Sequence, residues 1–249
     1  MGQQGKHLNS IHVSHEKHTA ACATEIMAIP ETVCISMSQH IGAPCKPLVA
    51  KGDAVKVGQV IGDTDAFVSA PIHSSVSGTV KDIITMRNVM GGKDQMVVIE
   101  ADGKQEVWEE IKPPVINDMK DFIAAMRASG LVGLGGASFP THIKLNPKNL
   151  DEVETLIVNA AECEPFITSD HRLMLENTQY IIDGVLAVMK YLDIKMAYIG
   201  VEENKPDAIE KLNAVIKENG HENDIKVHVL RARYPQGAER VMIYEITGK

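Results

Sequence analysis

Two textures of hydrophobic and polar positions divide the chain. From Ile29 to about Ala101, apolar residues come in short Val- and Ile-rich runs punctuated by Gly and Pro, at 33–37, 49–53, 59–62, 67–71, 77–84 and 96–100. Short runs with turn signals at close intervals predict a small all-β barrel or sandwich. After Asp118 the period lengthens. Helical spacing over 118–129, 171–191 and 205–219 alternates with short apolar runs at 154–159, 196–201 and 225–231. That alternation predicts a mostly parallel sheet covered by helices. The expected fold class is therefore β followed by α/β. The charged stretch 102–117, with Asp102-Gly103 and Pro113-Pro114, marks the change. The resulting division is an N-terminal arm 1–28, a β module 29–112 and an α/β domain 113–249.

The arm is polar and carries His7, His12, His15 and His18. Ser14-His-Glu-Lys-His18 offers imidazoles and a carboxylate but no second ligand cluster, so it falls short of a zinc site. It reads as a mobile tail. Four scattered cysteines, Cys22, Cys34, Cys45 and Cys163, form no C-x-x-C pair, and neither a metal site nor an iron–sulfur cluster is expected in this chain. The net charge of −8 argues against nucleic acid as a partner. With 44% hydrophobic but only 4% aromatic residues, the core must rest on Val, Ile, Leu, Ala and Met. No apolar run reaches the roughly 20 residues that cross a bilayer, and the first residues lack an apolar signal core. A cytosolic chain, able to dock on a membrane partner, is expected.

Three connections carry candidate chemistry. Gly133-Leu-Gly-Gly-Ala-Ser-Phe-Pro-Thr-His-Ile-Lys144 lies between a predicted helix and a predicted strand. Glycines at 133, 135 and 136 let main-chain N–H groups approach a ligand closely, and a run of them forms an anion nest suited to phosphate, to which Lys144 could add a charge. A tight turn that binds nothing is the other reading. The spacing meets neither the dinucleotide fingerprint nor the P-loop pattern. Strand 154–159 runs into Asn159-Ala-Ala-Glu-Cys-Glu-Pro165, and polar groups at a strand's carboxyl end in an α/β sheet are ligand candidates. Alternatively, Glu162 and Glu164 cap the next helix. Tyr234-Pro-Gln-Gly-Ala-Glu239 follows the last predicted strand and is either a third ligand loop or a helix entry.

Two phrases in the β module, Lys51-Gly-Asp-Ala-Val-Lys-Val-Gly-Gln-Val-Ile61 and Ala70-Pro-Ile-His-Ser-Ser-Val-Ser-Gly-Thr-Val80, resemble the barrel-sandwich hybrid of biotinyl and lipoyl domains. The intervening stretch 62–69 has no lysine to modify, so the module reads as structural or docking rather than as a swinging-arm carrier. The three connections together resemble the FMN-binding, NADH-oxidising subunit of respiratory complex I. With Ser38-Gln-His-Ile-Gly-Ala-Pro-Cys-Lys-Pro47 added, the chain is similar to the RnfC family of the Rnf complex, a membrane ferredoxin:NAD⁺ oxidoreductase.

The resemblance implies that Gly133, Gly135, Gly136 and Lys144 line the FMN phosphate and ribityl chain. It implies that Asn159 and Glu162 hydrogen-bond the flavin, and that Phe139 and Glu164 face NAD(H). Tyr234, Gly237 and Glu239 would close over the ring. Hydride transfer between NAD(H) and FMN would need no catalytic side chain, since the cofactor carries the reactivity. Partners would be the other Rnf subunits and ferredoxin-type carriers, on the cytoplasmic side and peripheral to the membrane. The family's 4Fe-4S clusters would belong to a C-terminal part missing from this chain, which reads as truncated. Ser138 stands for a glycine of the complex I loop, Ala161 for an aspartate and Ala238 for a glutamate. Ala161 and Ala238 favour a second reading, a non-catalytic docking subunit, and a third is a flavoenzyme of the same ancestry such as a flavin-dependent cobalamin reductase.

Overall fold

A computed structural model describes residues 10–88, 91–134 and 136–249. Contacts group the chain into two compact units, Ile26–Leu150 and a second made of Met1–Glu25 with Asp151–Lys249. Composition thus changes near residue 112, whereas contacts change at residue 150.

The first, barrel unit holds β1 (Thr32–Ser36), β2 (Lys46–Pro47), β3 (Ala54–Val55), β4 (Val60–Asp63), β5 (Ile72–His73), β6 (Gly78–Arg87) and β7 (Lys93–Ala101). Strands β1-β7-β6-β3 form one antiparallel sheet, and β2-β4-β5 a second. Where β1 pairs with β7, Ile35 faces Val97 and Val33 faces Ile99. Ile35, Met37, Val55, Ile61, Val80, Val97 and Ile99 make the buried core between the sheets' inner faces. The run at 49–53 is a turn rather than a strand. Gly52 takes φ +95, and the Asp53 carboxylate accepts from Ala50 N at 2.7 Å, a local bond that competes with extended backbone. Residues 67–71 also leave the sheet, and Val68 O accepts from Ala43 N at 3.1 Å.

Helix α1 (Met119–Ala128) is capped by Asp118, whose side chain accepts from Asp121 N. Its last turn is fixed to the barrel. Arg127 donates to Asp63 at 2.8 Å and to Thr64 O at 3.1 Å. Gly130 ends the helix at φ +70, and a Cβ there would lie 2.5 Å from Pro71 O. Position 130 therefore requires glycine on two counts. After the glycine loop comes α2 (Thr141–Lys144).

The second, α/β unit holds β8 (Thr155–Ala160), α3 (Ser169–Glu176), α4 (Thr178–Leu192), β9 (Met196–Glu202), α5 (Pro206–Glu218), β10 (Ile225–Leu230) and α6 (Glu239–Thr247). The sheet is parallel throughout, in the order β10-β9-β8, with Ile157, Tyr198 and Lys226 in register. Ala197, Ile199 and Val201 of β9 pack against Ile182, Val185, Met189, Leu212 and Val215 from the helices. The single helix expected over 171–191 is two. Asn177 leaves helical geometry at φ −131, and the Thr178 hydroxyl turns back to Met174 O.

The arm is not a mobile tail over its described residues 10–25. Ile11 and Tyr234 exchange backbone bonds of 2.9 Å in each direction. Phe166 N donates to His15 O at 3.1 Å, Arg172 to Ala20 O at 3.1 Å, and Thr24 N to the Glu176 carboxylate at 3.0 Å. These bonds use the arm's main-chain atoms, which hydrophobic periodicity does not register. Among the described residues no helix is long and apolar enough to cross a membrane, and no group of three metal-ligating side chains forms.

Candidate functional site

In the α/β unit the connections after β8, β9 and β10 leave from the carboxyl edge of a parallel sheet, where such folds place ligands. Asn159, second to last in β8, is exposed and spans two of these connections. Its amide donates to Gly237 O at 2.8 Å, and its carbonyl accepts from Ala161 N at 3.3 Å. Gly237 N in turn donates to Cys163 Sγ at 3.3 Å, and a Cβ on Gly237 would stand 3.4 Å from that sulfur. Asn159, Cys163 and Gly237 thus fix the loop after β8 to the loop after β10. Tyr234 is exposed, and Glu239 is exposed in the first turn of α6. Glu164 is exposed at the loop surface.

Glu162 points the other way. It is buried, at φ +50, and one carboxylate oxygen accepts from Asp170 N at 2.6 Å and from the Ser169 hydroxyl at 3.4 Å. That is a cap on the start of α3. The other oxygen, Oε2, lies 3.8 Å from Lys17 Nζ. Burial pushes the Glu162 carboxyl above its ordinary value, against the pull of the Asp170 N–H and the Lys17 ammonium. Ala161 is fully buried against Leu230 and Met242, so its side chain belongs to the core.

In the barrel unit the glycine loop is closed at its base. Gly133 N donates to Phe139 O at 2.9 Å, Thr141 N donates to Leu131 O at 3.0 Å, and Val132 bridges Pro140. Ser138, at φ +51, takes the left-handed position, and its carbonyl accepts from Ile41 N at 3.3 Å. Gly133 and Gly136 are exposed; a Cβ on Gly136 would meet nothing within 4 Å, and one on Gly133 only the Phe139 backbone at 3.7 Å. Neither packing nor backbone conformation demands glycine at these two positions. Gly135 lies outside the described residues. Phe139 is half-buried and Lys144 exposed on α2.

Comparison with known families divides the chain along its sequence, not along the boundary that contacts draw. Residues 6–104 match the family described as the RnfC Barrel sandwich hybrid domain, and residues 126–249 the Nuo51 FMN-binding domain. The C subunit of the proton-translocating ferredoxin:NAD(+) oxidoreductase complex of Clostridium ljungdahlii is 45% identical over 94% of this chain and 51% of its own length. The Na(+)-translocating counterpart of Acetobacterium woodii is 42% identical over 99% of this chain and 56% of its own. The C subunit of an ion-translocating oxidoreductase complex of Rhodobacter capsulatus is 35% identical over 96% and 47%. The chain belongs to the RnfC family. It spans about half the length of the curated relatives it matches. The expected fold, a barrel-sandwich hybrid followed by a flavin-subunit-like α/β domain, is the one found.

Sequence reading of this RnfC family member passes over four residues that the structure brings to the strand ends: Lys17, Phe166, Glu202 and Lys205. Lys17 donates to the carbonyls of Glu162, Glu164 and Ile167 at 2.8, 2.9 and 2.5 Å. Lys205, almost wholly buried, donates to Ala161 O at 2.7 Å and to the buried Glu202 carboxylate at 2.9 Å. Phe166, at φ +68, holds an aromatic ring 67% exposed beside His18, with ring centres 6.2 Å apart. Phe166 had a local signal, an apolar residue directly after Glu-Pro in a ligand-candidate loop. Lys17 had none, because its partners lie 145 to 150 positions away.

Proposed function

We propose that this chain supplies the FMN- and NAD(H)-binding part of the C subunit in an ion-translocating ferredoxin:NAD⁺ oxidoreductase. The observation that carries the reading is Gly136, a glycine inside the segment matching an FMN-binding family for which the fold itself supplies no need. Absence of a side chain there leaves main-chain N–H groups open to an anion, with Lys144 following on α2. Gly135, Gly136 and Lys144 would hold the phosphate and ribityl part of FMN, with Gly133, whose N–H is given to Phe139 O, lining the base of the loop. Asn159, Tyr234, Gly237 and Glu239 are assigned to its ring. Glu162, although also expected there, serves by shaping the loop, since its carboxylate caps α3. Phe139 and Glu164 are assigned to NAD(H). When bound, FMN supplies acceptance of two electrons as hydride from NADH and their release one at a time. The chain's own residues bind and orient, and no side-chain acid or base is required of them.

The functional division follows composition, with the barrel-sandwich module over 29–112 and the flavin domain over 113–249. Other Rnf subunits and ferredoxin-type carriers are the partners, on the cytoplasmic side and peripheral to the membrane. The family's 4Fe-4S centres lie outside this chain. The test is titration of FMN fluorescence with this chain and with Gly136→Val. We expect one FMN per chain, weakened at least tenfold by the valine, with an unchanged melting temperature because the new Cβ meets no neighbour. No quenching by the parent chain would count against the flavin reading and leave the docking-subunit alternative.

A further inference from the structure

Residues 10–25 touch each of the three strand-end connections of the α/β unit. Ile11 pairs with Tyr234 after β10, His15 Nδ1 lies 3.4 Å from the Asn204 amide after β9, and His15 O and Thr19 bind Phe166 and Thr168 after β8. Lys17 is the centre of this contact. An ammonium has three N–H donors, and Lys17 directs them to three convergent carbonyls, those of Glu162, Glu164 and Ile167. The loop turns these carbonyls to one point by placing two non-glycine residues, Glu162 and Phe166, at φ +50 and +68. Such residues persist only where the surroundings over-determine them. Without the ammonium, three carbonyl dipoles would converge with no donor between them, and each needs a partner. The loop's shape therefore depends on a cation delivered from outside it. The Lys17 side chain is only 14% exposed, with Glu162, Glu164, Asp170, Glu202 and Lys205 among the charged groups around it.

We propose that residues 10–25 are a strap that sets the shape of the β8 loop for FMN, with Lys17 as its positioning residue. This rests on the flavin reading above. The segment falls within the match to the barrel-sandwich family, yet it serves the α/β unit. Two variants separate position from charge. Lys17→Met keeps the length and removes the donors. Lys17→Arg keeps the charge but offers a planar fork that cannot meet three converging acceptors.

Both variants should weaken FMN binding about tenfold or more in the fluorescence titration. Arginine restoring full affinity, or methionine leaving it unchanged, would overturn the proposal while leaving the flavin reading intact. If the parent chain binds no FMN, the flavin reading and the strap fail together. A second measurement needs no variant. Because coupling is reciprocal, saturating FMN should slow tryptic cleavage after Lys17 about fivefold or more, with no change after the exposed Lys104 in the barrel unit. Equal slowing at both sites, or none at Lys17, would also overturn the strap, and this arm holds even if the methionine variant does not fold.

Discussion

At Ser138 an L side chain occupies a backbone conformation that costs it about 1–2 kcal/mol relative to right-handed geometry. Its carbonyl contact to Ile41 N uses the main chain alone, so glycine would keep it. Ser138→Gly is expected to raise stability by about 0.5–1 kcal/mol, the strain relieved less the entropy glycine adds to the unfolded chain. Urea unfolding checks this: an unchanged midpoint would mean that the strain only matches the entropy glycine adds, and a lowered one that the serine is held without strain. The sequence marks position 138 as a departure from the related glycine loop, and the φ value gives that departure a physical cost. Gly136 is likewise legible, since a glycine cluster between regular elements already suggests main-chain access. The direction of Glu162 was not legible. A strand-end carboxylate can face a ligand or a helix, and here its helix partner is eight residues on, beyond the short spacing of ordinary capping patterns.

Elements were read better than their joints. The expected runs 154–159, 196–201 and 225–231 correspond to β8, β9 and β10 within a residue or two, because short apolar runs bounded by polar residues suit strands. The break at Asn177 was hidden because hydrophobic spacing continues through it while one threonine hydroxyl competes for a carbonyl. The joint between β9 and α5 was hidden too. Glu202 ends the strand, Lys205 precedes Pro206 at the first position of the helix, and both charges are buried in one ion pair that also grips Ala161 O just past the end of β8. A charge pair in a strand-to-helix turn ordinarily reads as solvated. Lys205→Met should cost about 3–5 kcal/mol in urea unfolding, because it leaves the Glu202 carboxylate buried and unpaired. Adding Glu202→Leu should recover most of the loss. A small effect of the single change would show that water reaches the pair.

On the scale of the whole molecule, the α/β unit is interrupted in sequence: its first piece ends at Glu25 and its second begins at Asp151. Composition could not reveal this, since the arm is polar and its bonds run to main chain. The far anchor of the arm is sensitive to acid. Hydrogen bonds from Arg172 first, then from Thr24, hold the Glu176 carboxyl down to about 2, against 4.5 for a free glutamate. A depressed carboxylate contributes above its unfolded value and loses that contribution as pH falls toward the folded one. Amide exchange at Thr24, corrected for intrinsic rate, should therefore accelerate as pH drops from about 4.5 toward 2, and Glu176→Gln should abolish the step. A pH-independent Thr24 would remove Glu176 as the anchor. The interruption also imposes an order in time. On the ribosome Lys17 emerges early, but the carbonyls it binds are made 145 or more residues later. At about 5–20 residues per second, the nascent arm waits roughly 7–30 s with its lysine unpaired, while the barrel unit can already have folded. Of the two partners, the one made earlier is the one that must wait to reach its place.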